Sequence, residues 1–417
     1  MVKETTLRRD VPQVHWVNQF AVAPDQPGGT RHHEMSAALR ARGHDVRIVA
    51  SDLNLTSRRY TRRQGDGDRR AIAEDVLGVP FTWLHAGVYE RNDWRRALSM
   101  VLFAWNVLRH LLRTVHRGDV VIGSSPQLLA ALAARLAAML RRAPFILEVR
   151  DLWPESLTGV SGRRSVLAVG LRLIADLLYR TSSAIIILAE GSRESIVRHG
   201  GPPRRIVFIP NGVDLAAFTG PLEDLPQSLR WVEEHPTFVY AGAHGPANGL
   251  DKVLDAAAIL TERGENEVKL LLVGDGPSKA ALQQDATDHE LSNVVFHDPI
   301  PKELIPSLLR RCAGGLMILK NVELFQYGVS PNKLFDYLAS GLPVITNVGG
   351  EVARIVTDAD AGIVVPPDDP GALAGVLARV TRSDVGTGSG LDYVRKHHHR
   401  AELADRLARV IEGVRRA

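Results

Sequence analysis

Short apolar runs alternate with amphipathic stretches of helical length along almost the whole chain. An apolar run of strand length between turn signals is typical of a buried parallel strand, and alternation with helices is typical of doubly wound sheets. We therefore predict an α/β fold with two successive parallel sheets. Their strands are residues 14–17, 46–49, 81–84, 120–122, 145–149 and 184–188, then residues 237–240, 270–273, 294–296, 315–319 and 344–345.

Between the two series of strands lies a polar connector punctuated by prolines, residues 221–236. We place the domain boundary ahead of it, near residue 216. Residues 371–380 and 392–415 have an amphipathic helical pattern, and in the second of these segments Leu403, Leu407 and Ile411 form one stripe.

The segment 58–70 carries six arginines and two glycines and lacks an apolar run. We expect it to be a mobile loop beside the first sheet.

The composition limits the class of protein and the cellular compartment in which it occurs. A chain of 417 residues can bury two separate cores. Cys312 is the single cysteine, so the chain cannot form an internal disulfide, which is typical of a reducing compartment. The first residues lack the apolar segment of a signal peptide, and no window approaches ~18 uncharged apolar residues. We therefore expect a cytoplasmic protein.

The net charge of +4 is unevenly distributed. Residues 1–200 hold 29 Lys and Arg against 19 Asp and Glu, which leaves 22 against 28 for the rest of the chain. A basic half suits an anionic membrane surface, a phosphorylated substrate or nucleic acid. Nucleic acid is the least favoured partner, because the chain has no helix-turn-helix, zinc-finger or RNA-recognition signature.

The helical segment 95–113 has two interpretations. It is apolar over most of its surface and basic at both ends. It is either a crossover helix buried against the first sheet or a basic, Trp-bearing helix that rests on an anionic bilayer. In the second case the protein would be peripheral on the inner face of the cell membrane. Arg141-Arg142 and Arg163-Arg164 would add to such a surface.

Arg150 and Asp151 directly follow the apolar strand 145–149. Ligands of doubly wound sheets bind at the carboxyl ends of the strands, so we expect both side chains to face a cleft and take part in catalysis. The alternative is an Arg–Asp ion pair that only caps the sheet.

Several glycine turns follow predicted strands, where backbone N–H groups at a helix start can receive an anion. Gly28-Gly29 follows the first strand, and a simple tight turn is an equal alternative there. Gly349-Gly350 follows the last predicted strand, with Glu351 able to bind sugar hydroxyls. The turn that contains His244, residues 242–246, has the same position after the first strand of the second sheet.

Ser330-Pro331-Asn332-Lys333 opens a helix in the second domain. Ser330 is predicted to cap this helix, and Lys333 to neutralise a phosphate, so a diphosphate is the natural ligand. Asp336 lies one turn further along, where it can accept hydrogen bonds from two ribose hydroxyls. The alternative for Asp336 is a solvated helix charge.

Metal and cofactor motifs are absent from the sequence. It has no Walker A segment, no His-Glu-x-x-His and no Cys-x-x-Cys. Asp66-Gly67-Asp68 and Asp358-Ala359-Asp360 do not directly follow strands, so we interpret them as solvated loop charge. No metal and no resident cofactor are expected.

With these residues in place, the chain resembles the GT-B-fold glycosyltransferases of retaining family 4 over nearly its whole length. The similar segments are Gly28 to Thr30, Leu39 to Val46, Ile209 to Asp214, Val273 to Pro277 and Leu342 to Glu351. The segments Arg150 to Glu155 and Ser330 to Tyr337 resemble the branch that adds N-acetylated amino sugars in O-antigen and capsule synthesis.

The resemblance implies two facing Rossmann-like domains, 1–216 for the acceptor and 217–390 for the donor, with a C-terminal helix, 391–417, that crosses back to the first domain. It implies a UDP-sugar donor, retention of configuration and no essential metal. The acceptor would be a glycan, a polyprenyl-linked sugar or a small molecule. Lys333 and the amides around Ser330 would then take the diphosphate, Asp336 the ribose, Glu351 the donor sugar and Gly28-Gly29 the phosphate from the other side.

The chain also departs from this family. The usual pair of glutamates eight positions apart falls on Gly328 and Asp336, and we hypothesise that Glu323 supplies the missing carboxylate. The usual Arg and Lys after the first strand of the second domain are replaced around His244 to Gly249, and Arg150 stands where a His is common. Two rivals stay open: a UDP-N-acetylhexosamine 2-epimerase and an inactive sugar-nucleotide-binding partner.

Overall fold

The computed structural model describes residues 11–26, 28–55, 58–89, 94–155, 166–326, 328–380 and 389–416. Over these residues the first sheet has eight strands, ordered β3-β4-β2-β1-β5-β6-β7-β8. All neighbours are parallel except β3 and β4, which form an antiparallel pair. The strands are β1 (Gln13–Val17), β2 (Asp45–Ser51), β3 (Ile72–Val76), β4 (Val79–Leu84), β5 (Val120–Ser124), β6 (Phe145–Val149), β7 (Ala184–Ile187) and β8 (Ile206–Phe208).

Helices cover both faces of this sheet, because buried parallel strands are apolar on both sides. In chain order they are α1 (Arg31–Arg40), α2 (Trp94–Thr114), α3 (Leu128–Arg141), α4 (Val166–Thr181) and α5 (Ser192–Arg198). The short helix α6 (Ala216–Thr219) follows β8 on the way to the second domain.

The second sheet has six parallel strands within the described residues, ordered β11-β10-β9-β12-β13-β14. Its strands are β9 (Thr237–Ala241), β10 (Lys269–Val273), β11 (Val294–His297), β12 (Gly314–Met317), β13 (Val344–Thr346) and β14 (Gly362–Val364). The remaining helices are α7 (Leu250–Glu262), α8 (Lys279–Asp288), α9 (Ile305–Leu309), α10 (Asn332–Ala339), α11 (Gly350–Asp358), α12 (Pro370–Leu377), α13 (Ser389–His397) and α14 (Arg400–Arg416).

Both sheets change direction of winding beside their first strand, at β1/β5 and at β9/β12. A crevice forms at the carboxyl ends of the strands at such a switch point. The predicted α/β class with two Rossmann-like domains is confirmed.

Three strands were not predicted, and all three lie at or next to sheet edges. β3 is interrupted by Glu74 and Asp75, and β8 and β14 are each only three residues long, so none has an apolar run of ordinary strand length.

The Arg-rich segment 58–70 is tied to the first domain, contrary to the expectation of a mobile loop. The Arg63 guanidinium is buried and its Nε lies 2.8 Å from Oδ1 of Asp52. Arg62 pairs with Glu74 of β3 at 2.7 Å. Buried charges persist only where they are paired, so this ion pair fixes the path of the segment.

The predicted helix 392–415 is interrupted where the chain crosses between the domains. His398 and His399 separate α13 from α14. The N–H of Val213 donates to the His398 carbonyl at 3.1 Å, and the Arg400 N–H donates to the Val213 carbonyl at 3.1 Å. A side chain on the adjacent Gly212 would collide with the His398 carbonyl oxygen. The two interdomain crossings therefore lie side by side and are bonded to each other.

After this crossing, α14 packs against the first domain. Leu403, Leu407 and Ile411 are buried in the core of the first sheet, together with Met35 and Leu39 of α1. Arg42 and Asp405 form an ion pair across the same contact. The predicted return of the C-terminal helix is confirmed.

Candidate active site

The glycine turn of the first domain faces the start of α10 in the second. A Cβ on Gly29 would lie 3.0 Å from Nδ2 of Asn332, so a larger residue at this position would require the amide to shift slightly. The Asn211 side chain donates to the Ser330 carbonyl at 2.5 Å. The predicted donor-binding segments Gly28-Gly29 and Ser330–Lys333 therefore meet across the cleft.

Ser330 does not cap α10, contrary to the prediction. The residue at the N-cap is Pro331, and Ser330 Oγ accepts a hydrogen bond from the Asn211 backbone N–H at 3.2 Å. The side chain is used to join the domains, which leaves the first N–H groups of α10 available to an anion.

Lys333 projects from the first turn of α10 toward the first loop of the second domain. Its Nζ lies 3.8 Å from the centroid of the Tyr240 ring. Gly242 leaves room for it, since a Cβ there would lie 3.3 Å from Nζ. Burial lowers the pKa of Lys333 to about 7, and no ion pair with a carboxylate is seen among the described residues. A bound anion would favour the charged form.

Asp336 lies one turn further along α10, behind Lys333. Burial raises the pKa of its carboxyl to about 6, and Glu34 raises it further, while Lys302 and Arg400 lower it. A carboxyl group in this position titrates close to neutral pH and accepts hydrogen bonds once it is ionised.

Glu34 of α1 joins three parts of the chain around this position. Its Oε1 lies 2.6 Å from Nζ of Lys302, which follows β11, and its Oε2 lies 2.7 Å from Nη2 of Arg400 at the start of α14. Burial alone would raise the pKa of Glu34, but Arg400 and Lys302 lower it to about 2. The ionised carboxylate therefore links both domains and the C-terminal helix beside Asp336.

Arg400 is a candidate site residue that the sequence did not indicate. Its guanidinium is buried, and Nε and Nη1 have no hydrogen-bond partner within the described part of the chain. Burial lowers its pKa, while Glu34, Asp336 and Asp214 raise it. A buried guanidinium with two unused donors is suited to a polar or anionic ligand.

A buried polar network lies beneath Arg150. Glu148 of β6 is fully buried, with Arg31 Nε at 3.1 Å from its Oε1 and Ser124 Oγ donating to its Oε2 at 2.6 Å. The Arg31 guanidinium also donates to the Pro210 carbonyl at 2.6 Å. Glu148 therefore joins β5, β6 and α1, and Arg31 extends this network to the crossing to the second domain.

His32 connects this network to Arg150. Arg150 Nη1 donates to His32 Nδ1 at 3.1 Å, which assigns the proton of the neutral ring to Nε2. Nε2 lies 3.2 Å from Oε2 of Glu148 and donates to it. Burial lowers the pKa of His32 to about 4, so the ring is neutral at physiological pH. The hydrogen bond from His32 and the charges of Arg31 and Arg150 hold the pKa of Glu148 well below its usual range, although burial opposes this.

Arg150 and Asp151 follow the end of β6. The Arg150 guanidinium contacts His32, and no ion pair between Arg150 and Asp151 is formed in the described chain. Burial raises the pKa of Asp151, and the nearby charge of Arg150 lowers it. The sheet-capping ion pair considered from the sequence is therefore not formed.

Five other predicted site residues have different surroundings. Glu351 Oε2 accepts a hydrogen bond from the Glu190 backbone N–H at 2.7 Å, and burial raises its pKa. His244 is fully buried next to Tyr240 and Phe296, and burial lowers its pKa to about 4. Glu323 is exposed on a short 3-10 helix, Glu323–Gln326. Gly349 is the N-cap residue of α11, and Gly350 begins that helix with φ +58°. Their roles toward a donor stay predictions.

The residues missed by sequence reasoning are Arg31, His32, Ser124, Glu148 and Arg400. One local signal was available: Glu148 is a charged residue inside an apolar strand, and such a residue needs a buried partner. Its partner Arg31 is 117 residues away in sequence, so only the topology brings the two together.

Comparisons with known proteins agree with this geometry. Residues 28–212 match the family model of the glycosyl transferase 4-like domain, and residues 235–383 match that of the glycosyl transferases group 1. The chain is 23% identical to a probable glycosyltransferase, WbjE, of Pseudomonas aeruginosa over 71% of this chain and 74% of that protein. It is 24% identical to the putative colanic acid biosynthesis glycosyl transferase WcaI of Escherichia coli (strain K12), over 74% and 76% of the two chains.

Among solved structures, Anabaena Alr3699/HepE in complex with UDP and glucose superposes with a TM-score of 0.68 at 15% identity, over 96% of this chain and 99% of that chain. This structural similarity supports the fold. The family is supported by the two domain models, which together cover most of the sequence. The chain therefore belongs to the glycosyltransferases of family 4, which have the GT-B fold, and it is similar to the O-antigen and capsule branch of that family.

Proposed function

We propose that the protein transfers a sugar from a UDP-sugar to a hydroxyl group of an acceptor, with retention of configuration and without a metal ion. The observation that carries this proposal is the position of Lys333. It is a buried cation without a carboxylate partner in the described chain, at a helix start that faces Gly28-Gly29 across the cleft. These groups suit a diphosphate held between the domains.

The same groups would assist the chemical step. The bond between the anomeric carbon and the diphosphate oxygen breaks, a bond to the acceptor oxygen forms, and the hydroxyl proton of the acceptor passes to the departing diphosphate, on which negative charge develops. Lys333 and the amides of α10 are fixed beside that charge before reaction, and preorganised charge of this kind stabilises a transition state more than a ground state.

Arg400 would supply a second cationic group for the donor. The family's usual Arg and Lys are missing after β9, whereas Arg400 presents two unused buried donors near Asp336. Asp336 would accept the ribose hydroxyls in its ionised form.

The acceptor would approach from the first domain, at the end of β6. Arg150 is oriented there by His32, and we propose that Asp151 orients the acceptor hydroxyl. The likeness of the segments 150–155 and 330–337 to amino-sugar transferases favours an N-acetylated hexosamine donor. The relatives named for polysaccharide synthesis favour a glycan or lipid-linked acceptor at the membrane over a small molecule.

The test is UDP release from a panel of UDP-sugars, with and without a membrane lipid extract, in the presence of EDTA. Acceptor-dependent release that survives EDTA, with a product of unchanged anomeric configuration by NMR, supports the proposal. Release without acceptor would indicate hydrolysis or epimerisation, and binding without release would indicate an inactive partner. The matching domain models and the relatives described above are glycosyltransferases, which favours transfer over epimerisation.

A further inference from the structure

Helices α2, α3 and α4 lie side by side over one face of the first sheet. α3 packs against α2 on one side and α4 on the other. Each helix buries one stripe in the same core, which includes Phe103 and Val107 of α2, Ala134 of α3, and Ala175 and Leu178 of α4. The opposite sides of the three helices therefore point away from the sheet and share one outer surface, the three-helix face.

The three-helix face is apolar. A helix with one side against a core normally has polar residues on the other side. Here the outward stripes hold large apolar side chains, of which Trp105 is 56% exposed, Leu140 63% and Leu173 66%. The full set is Trp94, Leu98, Val101 and Trp105 of α2, Leu136, Met139 and Leu140 of α3, and Val169, Leu173 and Leu177 of α4. An exposed apolar patch across three helices marks an interaction surface.

The charges around the face are mostly positive. The three helices contain one acidic residue, Asp176, and eight arginines. Each of the three helices runs from the carboxyl ends of the strands back to their amino ends, so the C-terminal ends of the helices lie together. Exposed arginines cluster at that edge: Arg109, Arg113, Arg141, Arg142 and Arg180.

We infer that the three-helix face docks on an anionic phospholipid bilayer. Apolar side chains enter the interface, tryptophans are favoured at the level of the headgroups, and the arginine rim binds lipid phosphate. A second copy of the chain fits less well, because a symmetric contact would bring the same arginine rims together with little acid to neutralise them. No described helix has the length and hydropathy to cross a bilayer, so this contact would be peripheral.

Both interpretations of α2 then apply, because one side of the helix is buried against the sheet and the other side contacts the membrane. Only the purpose of docking rests on the proposed function: docking would bring the acceptor domain to a lipid-linked acceptor. Binding to vesicles is measured without any sugar nucleotide, so a failure of docking and a failure of transfer are distinguishable.

The experiment is co-sedimentation of the full chain with vesicles of phosphatidylcholine, with or without phosphatidylglycerol. We expect binding to the anionic vesicles that weakens with salt. Leu173→Glu and Trp105→Glu should each weaken it about tenfold or more, because each removes the burial of a large apolar side chain. Arg109→Gln/Arg113→Gln should reduce binding to the anionic vesicles and leave binding to neutral vesicles unchanged.

Leu222→Glu in the connector and Val364→Glu in the second domain are matched controls, since both replace an exposed apolar residue away from the face. They should bind like the wild type, and circular dichroism checks that every variant is folded. Wild-type protein that stays in the supernatant with anionic vesicles would overturn the inference. A dimer in solution that Leu173→Glu dissociates would instead assign the face to a second copy.

Discussion

Arg150 Nη1 donates a hydrogen bond to Nδ1 of His32, 3.1 Å away, and the opposite ring nitrogen faces buried Glu148. The guanidinium at the end of β6 is thus oriented by a carboxylate that never reaches the cleft. Carboxylate–imidazole pairs fix the tautomer and direction of a histidine in this way.

His32→Ala should therefore lower kcat by misplacing Arg150, with a smaller effect on the KM for the donor. We expect His32→Gln, whose side-chain carbonyl can accept from Arg150, to recover part of the loss. His33→Gln is the matched control, because His33 contacts the Val76 carbonyl and lies outside this network. Steady-state kinetics of UDP release measure kcat and KM for each variant. Equal losses of kcat in His32→Gln and His32→Ala would contradict the positioning role.

Lys333→Met should lower kcat by about 100-fold or more, the usual effect of removing one preorganised charge from a developing anion. Lys252→Met, on α7 and paired with Asp255 at the surface, is the control. Retention of activity in Lys333→Met would remove the basis of the proposed function.

The pKa of about 7 at Lys333 also predicts a pH dependence of donor binding. The free protein loses the proton as pH rises above 7, so binding of the UDP-sugar diphosphate then requires proton uptake. Affinity should fall by up to about tenfold per pH unit above pH 7. Titration calorimetry with a UDP-sugar measures this decline, which should be absent from Lys333→Met.

Asp336→Asn should bind the donor more weakly and unfold at a higher temperature. The pKa of Asp336 is raised from 3.8 to about 6, so the folded state holds the proton more tightly than the unfolded state. The carboxyl therefore lowers stability as pH rises from 3.8 to 6, and the amide avoids that cost. We expect a rise in Tm of about 2–4 °C at pH 7, seen by differential scanning calorimetry. A lower Tm would show that the carboxylate is stabilised by partners instead.

Glu148→Gln should destabilise the first domain by about 3–5 kcal/mol, because it leaves the Arg31 charge buried without its partner. The pKa of Glu148 lies below its ordinary value of 4.5, so its contribution is complete above that pH and is lost as pH falls toward the folded value. Urea unfolding of the wild type and the variant should therefore converge in acid. A constant difference down to low pH would contradict the pairing.

Arg400→Met tests the second cationic group. We expect a donor affinity at least about tenfold weaker, as for the loss of one charge-assisted hydrogen bond. Arg409→Met, which replaces an exposed arginine of the same helix, is the control. Equal donor affinities in Arg400→Met and the wild type would show that the two unused N–H groups serve no donor.

The sequence predicts the central strands and the glycine turns well, since these depend on local pattern. β7 is apolar on both faces, and Gly28 holds φ +140°, which side-chain-bearing residues rarely adopt. Edge strands such as β14 are not predicted, because a strand of three residues is too short to give a recognisable pattern. The site divides in the same way: Lys333 and Asp336 stand in one recognisable segment, whereas Arg400 joins them only through the return of the C-terminal helix.

The bonded crossings at Val213 and His398 restrict how the cleft can open. Two separate linkers would let the domains slide, tilt and twist independently. Two strands of chain that are hydrogen-bonded to each other and closely packed at Gly212 act as one pivot. We therefore expect donor entry and UDP exit to involve rotation about this pivot, and a side chain at position 212, which would collide with the His398 carbonyl oxygen, should disturb that rotation.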